Sequence, residues 1–109
     1  MKIAIIGSRG VNSFDFSPYI PKSTTEIVSG GAKGVDTLAR TYAIDHGIKI
    51  TEYLPDYAQF HRSAPLIRNK TIIQAADHIL AIWDGESRGT LFCIEYAKKV
   101  GKPVTVVRI

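Results

Sequence analysis

The stretch Ser29-Gly30-Gly31-Ala32-Lys33-Gly34-Val35-Asp36-Thr37 has the residue types and spacing of an anion-binding turn. Its glycines follow the apolar run Glu26-Ile27-Val28 and open a helix-period segment, and the first N–H groups of a helix lack intrahelical partners and attract phosphate. The spacing Gly30-Gly31-x-x-Gly34 is neither the dinucleotide fingerprint nor the phosphate loop of nucleotide triphosphatases, and it follows the second strand-like run instead of the first. A glycine turn tightened only for packing is the plain alternative.

Other residues fall into the same chemistry. Arg9, in Gly7-Ser8-Arg9, and Arg68, beside Asn69, carry guanidinium forks suited to a phosphate or a base edge. Asn69 suits either a loop backbone or a base. Asp36 and Asp84 are candidates for ribose hydroxyls. Asp36 alternatively bonds the Gly7-Ser8-Arg9 loop or favours the positive end of its helix, and Asp84 alternatively acts as a general base or shapes an Asp-Gly turn. Ser29 and Thr90, the latter in Ser87-Arg88-Gly89-Thr90, offer hydroxyls to a phosphate or caps to the following helix. Tyr57 and Phe60 are placed to stack on a base or to pack over the sheet edge, and Trp83 reads as core or pocket wall. His61 reads as a surface loop histidine, and Cys93 as a small buried filler.

These residues need a scaffold that brings their loops to one edge. Five apolar runs read as strands: Ile3 to Ile6, Glu26 to Ser29, Ile48 to Tyr53, His78 to Trp83 and Val104 to Val107. Between them, Val35, Leu38, Ala39, Tyr42 and Ala43 make one helical face stopped at Gly47. A second helix runs from about Ala64 to Ala76 with Leu66, Ile67, Ile73 and Ala76 inward, and a third uses Leu91, Ile94 and Ala97 before Gly101. Segment 10–24, interrupted by Pro18 and Pro21, is read as a short helix. The alternation predicts a single Rossmann-like three-layer α/β domain over residues 1–109, with a mostly parallel sheet of about five strands. Ligands of such sheets bind beyond the carboxyl ends of the strands, here at loops 7–12, 29–34, 54–62 and 84–90.

Composition narrows the function classes. The chain has 109 residues, a net charge of +4 and one cysteine, so one domain must carry its function on its own loops. No apolar run approaches the length of about 20 residues that spans a bilayer, and no membrane partner is expected. The start Met1-Lys2-Ile3-Ala4-Ile5-Ile6 reads as a strand and not as a leader, which makes a cytoplasmic location the expectation. A lone cysteine and scattered histidines give no metal pattern, and no cofactor is called for. The basic balance favours anionic partners, with Arg9, Lys33, Arg62, Arg68 and Arg88 at the loop edge.

Gly7-Ser8-Arg9, Ser29 to Ala39, Pro55-Asp56, Arg68-Asn69 and Trp83-Asp84-Gly85-x-Ser87-x-Gly89-Thr90, in this order over almost the whole chain, resemble the SLOG superfamily in its YspA-like branch. The resemblance implies a Rossmann-like domain that binds a nucleotide or a nucleotide-derived molecule. Relatives bracket the activity. The lonely-guy (LOG) phosphoribohydrolases split the N-glycosidic bond of nucleoside monophosphates with an arginine, onto which Arg68 falls, and a glutamate after Gly-Thr. Here Leu91, Phe92 and Cys93 follow Gly89-Thr90, and the first acid is Glu95, about 200° around a helix from Cys93. That departure weighs against hydrolysis and leaves Arg68, Asp84 and Glu95 as the catalytic candidates. The DNA-processing (DprA/Smf) proteins share a motif much like Ser29 to Asp36 and bind single-stranded DNA, which makes single-stranded nucleic acid the alternative partner. Sensor domains of bacterial defence systems recognise ADP-ribose-like signals through the same loops and need only bind. Binding as a sensor or ligand-binding domain is the leading expectation, with a homodimer implied by the relatives.

Overall fold

The computed structural model describes residues 1–109. Strands β1 (Lys2–Gly7), β2 (Glu26–Ser29), β3 (Lys49–Glu52), β4 (His78–Trp83) and β5 (Val104–Arg108) form one sheet in the order β3-β2-β1-β4-β5. Every neighbouring pair is parallel, as the continuous apolar runs require when both faces are covered. The helices are α1 (Val35–Asp45), α2 (Tyr57–Phe60), α3 (Ala64–Ala75) and α4 (Arg88–Lys99). None is long and apolar enough to cross a membrane. The expected α/β architecture is therefore the observed one.

Side chains of β1 alternate between two cores. Ile3 and Ile5 join Ile27, Leu80 and Ile82 under α1, whose Val35, Ala39 and Ala43 recur at the expected spacing. Ala4 and Ile6 join Val28, Ile79 and Ala81 on the other face, beneath α3 and α4. The β1-to-β2 crossover is segment 10–24, which folds as a single 3-10 turn (Ser17–Tyr19) and not as the expected helix. Pro18 and Pro21 remove backbone donors there, and burial of Phe16 against the α1 face supplies what hydrogen bonding does not.

Two inward assignments are corrected. Leu66 and Leu91 are 46% and 36% exposed. On α3, Ala64, Ile72 and Ile73 are buried, and on α4 the buried residues are Thr90, Cys93, Ile94 and Ala97. Leu91 stands one residue, about 100°, from Thr90 on that stripe, which is enough to turn it outward. The expected loop 54–62 contains α2, capped by Asp56, whose carboxylate accepts from Gln59 N–H at 3.2 Å, and a 3-10 turn over His61–Ser63.

Candidate functional site

The crossovers up to β3 cover the α1 face, and those from β3 onward, through α3 and α4, cover the other, so the strand order reverses between β1 and β4. At a reversal the flanking loops part, and a crevice opens beyond the carboxyl ends of the strands. A cleft of about 500 Å³ lies there. It is lined by Gly7 and Arg9 from the loop after β1, Gly30 and Asp36 from β2 to α1, Arg68 and Asn69 from α3, and Asp84, Ser87, Gly89 and Thr90 from β4 to α4.

Ser8, Ser29, Gly31 and Gly34 do not line the cleft; they build its walls. Ser8 ties two strand ends together, its N–H donating to the Ile82 carbonyl at 3.1 Å and its Oγ accepting from Asp84 N–H at 3.2 Å. Gly34 has φ +74°, and a Cβ there would run into the backbone carbonyls of Ser8 and Arg9, so only glycine lets α1 start so close to the β1 loop. The buried Ser29 accepts from Gly31 N–H at 3.5 Å.

The glycine turn is held differently from the expected phosphate cradle. Asp36 folds back so that Oδ2 accepts from Ala32 N–H at 3.1 Å, which occupies a donor that a ligand would have used. Its partner is thus its own turn and not the Gly7-Ser8-Arg9 loop. Asp36 is 8% exposed, and burial pushes its carboxyl above the ordinary range, opposed by the Ala32 N–H and the nearby Arg68 charge.

Arg68 is the central cation. From α3, Nε donates to Asn69 Oδ1 at 2.8 Å, while Nη1 donates to the Gly30 carbonyl at 2.7 Å and to the Tyr53 carbonyl at 3.4 Å. Asn69 thereby aims the guanidinium. The ion pairs of the protein are Arg40–Glu52 and Lys49–Glu26, so no carboxylate neutralises Arg68 directly.

The fourth wall is a rigid turn. Asp84 Oδ1 accepts from the N–H groups of Glu86 and Ser87, both at 2.8 Å, and these donors hold its carboxyl below the usual carboxylate range. Ser87 Oγ caps α4 by accepting from Thr90 N–H at 3.4 Å, and Trp83 Nε1 donates to the Ser87 carbonyl at 3.0 Å. The first-turn N–H groups of Arg88 and Gly89 have no carbonyl of their own helix to bond, and nothing lies within 4 Å of where a Gly89 Cβ would stand.

One relative matches the chain over most of its length. The Gene 61 protein of Mycobacterium phage D29 is 36% identical over 84 residues, covering 72% of this chain and 67% of the phage protein. The chain belongs to the family of that phage protein. No protein-family model and no solved structure matches it.

For this member of the phage Gene 61 family, several expected residues stand away from the cleft. Glu95 lies on the outer side of α4, not facing Arg68. Tyr57 is 56% exposed on α2, and Phe60 lines an adjoining hollow of about 100 Å³ that shares Arg68 with the cleft; neither Tyr57 nor Phe60 lines the cleft itself. Of the five loop cations, Arg9 and Arg68 line it, and Lys33, Arg62 and Arg88 do not. Lining residues outside the expected loops are Ile6, Pro65, Ile72 and Cys93, besides Arg68 and Asn69 of α3, while Gly10 and Ala32 fall within the expected loops 7–12 and 29–34 without having been singled out. Helical spacing held the signal for three of them, since Pro65 and Ile72 are three and four positions from Arg68, and Cys93 is three from Thr90.

The arrangement suits binding. Arg9, Arg68 and the start of α4 supply positive potential at one crevice. Asp84 is already stabilised as an anion by two N–H groups, which makes it a weak base and a good acceptor for hydroxyl groups. Cys93, 2% exposed, has its thiol pushed up to about 12 by burial, and is no nucleophile at neutral pH.

Proposed function

We propose that this domain binds a nucleotide or nucleotide derivative, ADP-ribose-like or a nucleoside phosphate, in the cleft at the β1/β4 reversal, as a sensor or ligand-binding domain. One observation carries this reading: a half-buried guanidinium, aimed by Asn69 and with no carboxylate in ion-pair contact, stands in a cleft that also exposes the start of α4. Phosphate would sit between Arg68, Arg9 and the Arg88-Gly89 N–H groups, and Asp84 would accept from ribose hydroxyls. The glycine turn serves as a wall held by Arg68 and Asp36, not as the principal cradle.

Hydrolysis of an N-glycosidic bond needs a carboxylate against the developing charge. The carboxylates in the cleft are Asp36, occupied by its own turn, and Asp84, a weak base. Binding without turnover is the conclusion. A thermal-shift panel of AMP, ADP-ribose, cyclic ADP-ribose forms and NAD tests it, because a ligand at 100 times its Kd adds about 2.7 kcal/mol to native stability. A raised midpoint with the nucleotide recovered intact is the expected result. Recovery of free base and ribose phosphate refutes binding without turnover, and no shift with any of them removes the reading.

A further inference from the structure

We propose a second, separate binding surface on the outer side of α3 and α4, a groove of about 510 Å³ that takes single-stranded nucleic acid. Its lining includes Lys70 of α3 and Arg88, Phe92, Glu95, Tyr96 and Lys99 of α4. None of these side chains lines the nucleotide cleft, to which Arg88 offers only its backbone N–H, because α4 turns Gly89, Thr90 and Cys93 to that side. The inference therefore stands independently of the cleft.

Two features point to the occupant. Lys70, Arg88 and Lys99 outnumber the single acid Glu95, and none of the three enters an ion pair, although Glu95 and Lys99 are one helical turn apart. The surface thus keeps its positive charge for an outside anion. Phe92 and Tyr96 hold their rings nearly parallel, 8° apart with centroids at 6.1 Å. Gln74 Nε2 fixes the Tyr96 hydroxyl by donating to it at 2.8 Å, and Lys70 Nζ stands 5.6 Å from the Tyr96 ring centre. Phe92 and Tyr96 are half-buried against the core, and the parts of the fixed rings left at the surface, among cations, match the chemistry of unstacked bases joined by phosphates. A duplex keeps its bases stacked inside and would use only the cations. A second copy of the chain would bring the same three cations against themselves, which disfavours self-pairing through this face.

The test is fluorescence anisotropy of a labelled 12-nucleotide oligothymidylate against the full chain, across a salt series, with sedimentation velocity on the same samples. The expected results are binding tighter to the single strand than to a duplex of equal length, and no displacement by saturating AMP. Tyr96→Ala should weaken binding roughly 5- to 150-fold through lost stacking. Lys70→Gln combined with Lys99→Gln, both at exposed positions, should lower the slope of log affinity against log salt by about 1.4, since each neutralised phosphate contributes about 0.7. Absence of binding at low salt, preference for duplex, displacement by AMP, or affinity unchanged in both variants overturns the proposal. So does a stable dimer that Tyr96→Ala dissociates, which would make the face an interface between copies.

Discussion

Gly30→Ala separates the role of Arg68 in the cleft from its role in the fold. Gly30 has ordinary backbone, so alanine introduces no dihedral strain and stiffens the unfolded chain, a gain of about 0.4–1 kcal/mol. The new Cβ would stand 2.7 Å from Arg68 Nη1 and 3.0 Å from Asp36 Oδ2. Guanidinium is the movable partner, and its displacement breaks the 2.7 Å bond to the Gly30 carbonyl. A hydrogen bond from a charged group contributes about 1.5–3 kcal/mol, so the net destabilisation is about 1–2 kcal/mol, a fall of roughly 4–8 °C in Tm for a domain of this size. Nucleotide affinity falls further in relative terms, because the displaced group is the cation that meets the phosphate: roughly 10- to 150-fold in Kd. Gly34→Ala is the counterpart. Its positive φ and the Ser8 and Arg9 carbonyls leave nothing flexible to yield, so it should lose more stability than Gly30→Ala. Thermal unfolding followed by calorimetric titration with AMP or ADP-ribose reads both quantities. A Gly30→Ala protein that melts early yet binds nucleotide like the wild type would show that Arg68 braces the turn and does not contact ligand.

Three further outcomes are expected. Burial raises the carboxyl of Asp36 above its unfolded value, so the native state holds the extra proton from about pH 4 up to that raised value, and stability falls as pH rises through this window. Asp36→Asn keeps an oxygen for the Ala32 N–H and does not titrate; its stability relative to wild type, from urea unfolding at successive pH values, should rise across the window, and a fall would contradict the burial argument. Cys93 should resist a chromogenic disulfide reagent at pH 8 until denaturant is added, since its thiol is buried and pushed up to about 12; rapid labelling of the native protein would disprove that placement. Asp84→Asn should weaken AMP about fivefold while leaving inorganic phosphate unaffected, as expected for a lost acceptor to ribose; equal losses for both would place Asp84 at the phosphate instead.

Much of the scaffold is legible along the chain. Glu26 to Ser29 and His78 to Trp83 coincide with their strands, because continuous β-branched and aromatic runs fit a strand covered on both faces. Helix phases were less secure: Leu66 and Leu91 look inward by type, but which stripe meets the sheet depends on how each helix is rotated against it. Within the cleft, Arg9 and Asp84 were readable because polar residues beside strand ends rarely serve the core, whereas Arg68 and Asn69 stand inside α3 and reach the cleft through the rotation of that helix.

Local periodicity and side-chain chemistry were enough to set the alternation of strands and helices, the α/β architecture and the loop positions of Arg9, Asp84 and the glycine turn. Only the packed chain brought Arg68 onto a carbonyl 38 positions away and closed Asp36 on Ala32 instead of on the first loop. Hydrogen bonds between distant segments depend on strand order and helix rotation, which are set by how the whole core packs and by no single stretch of residues.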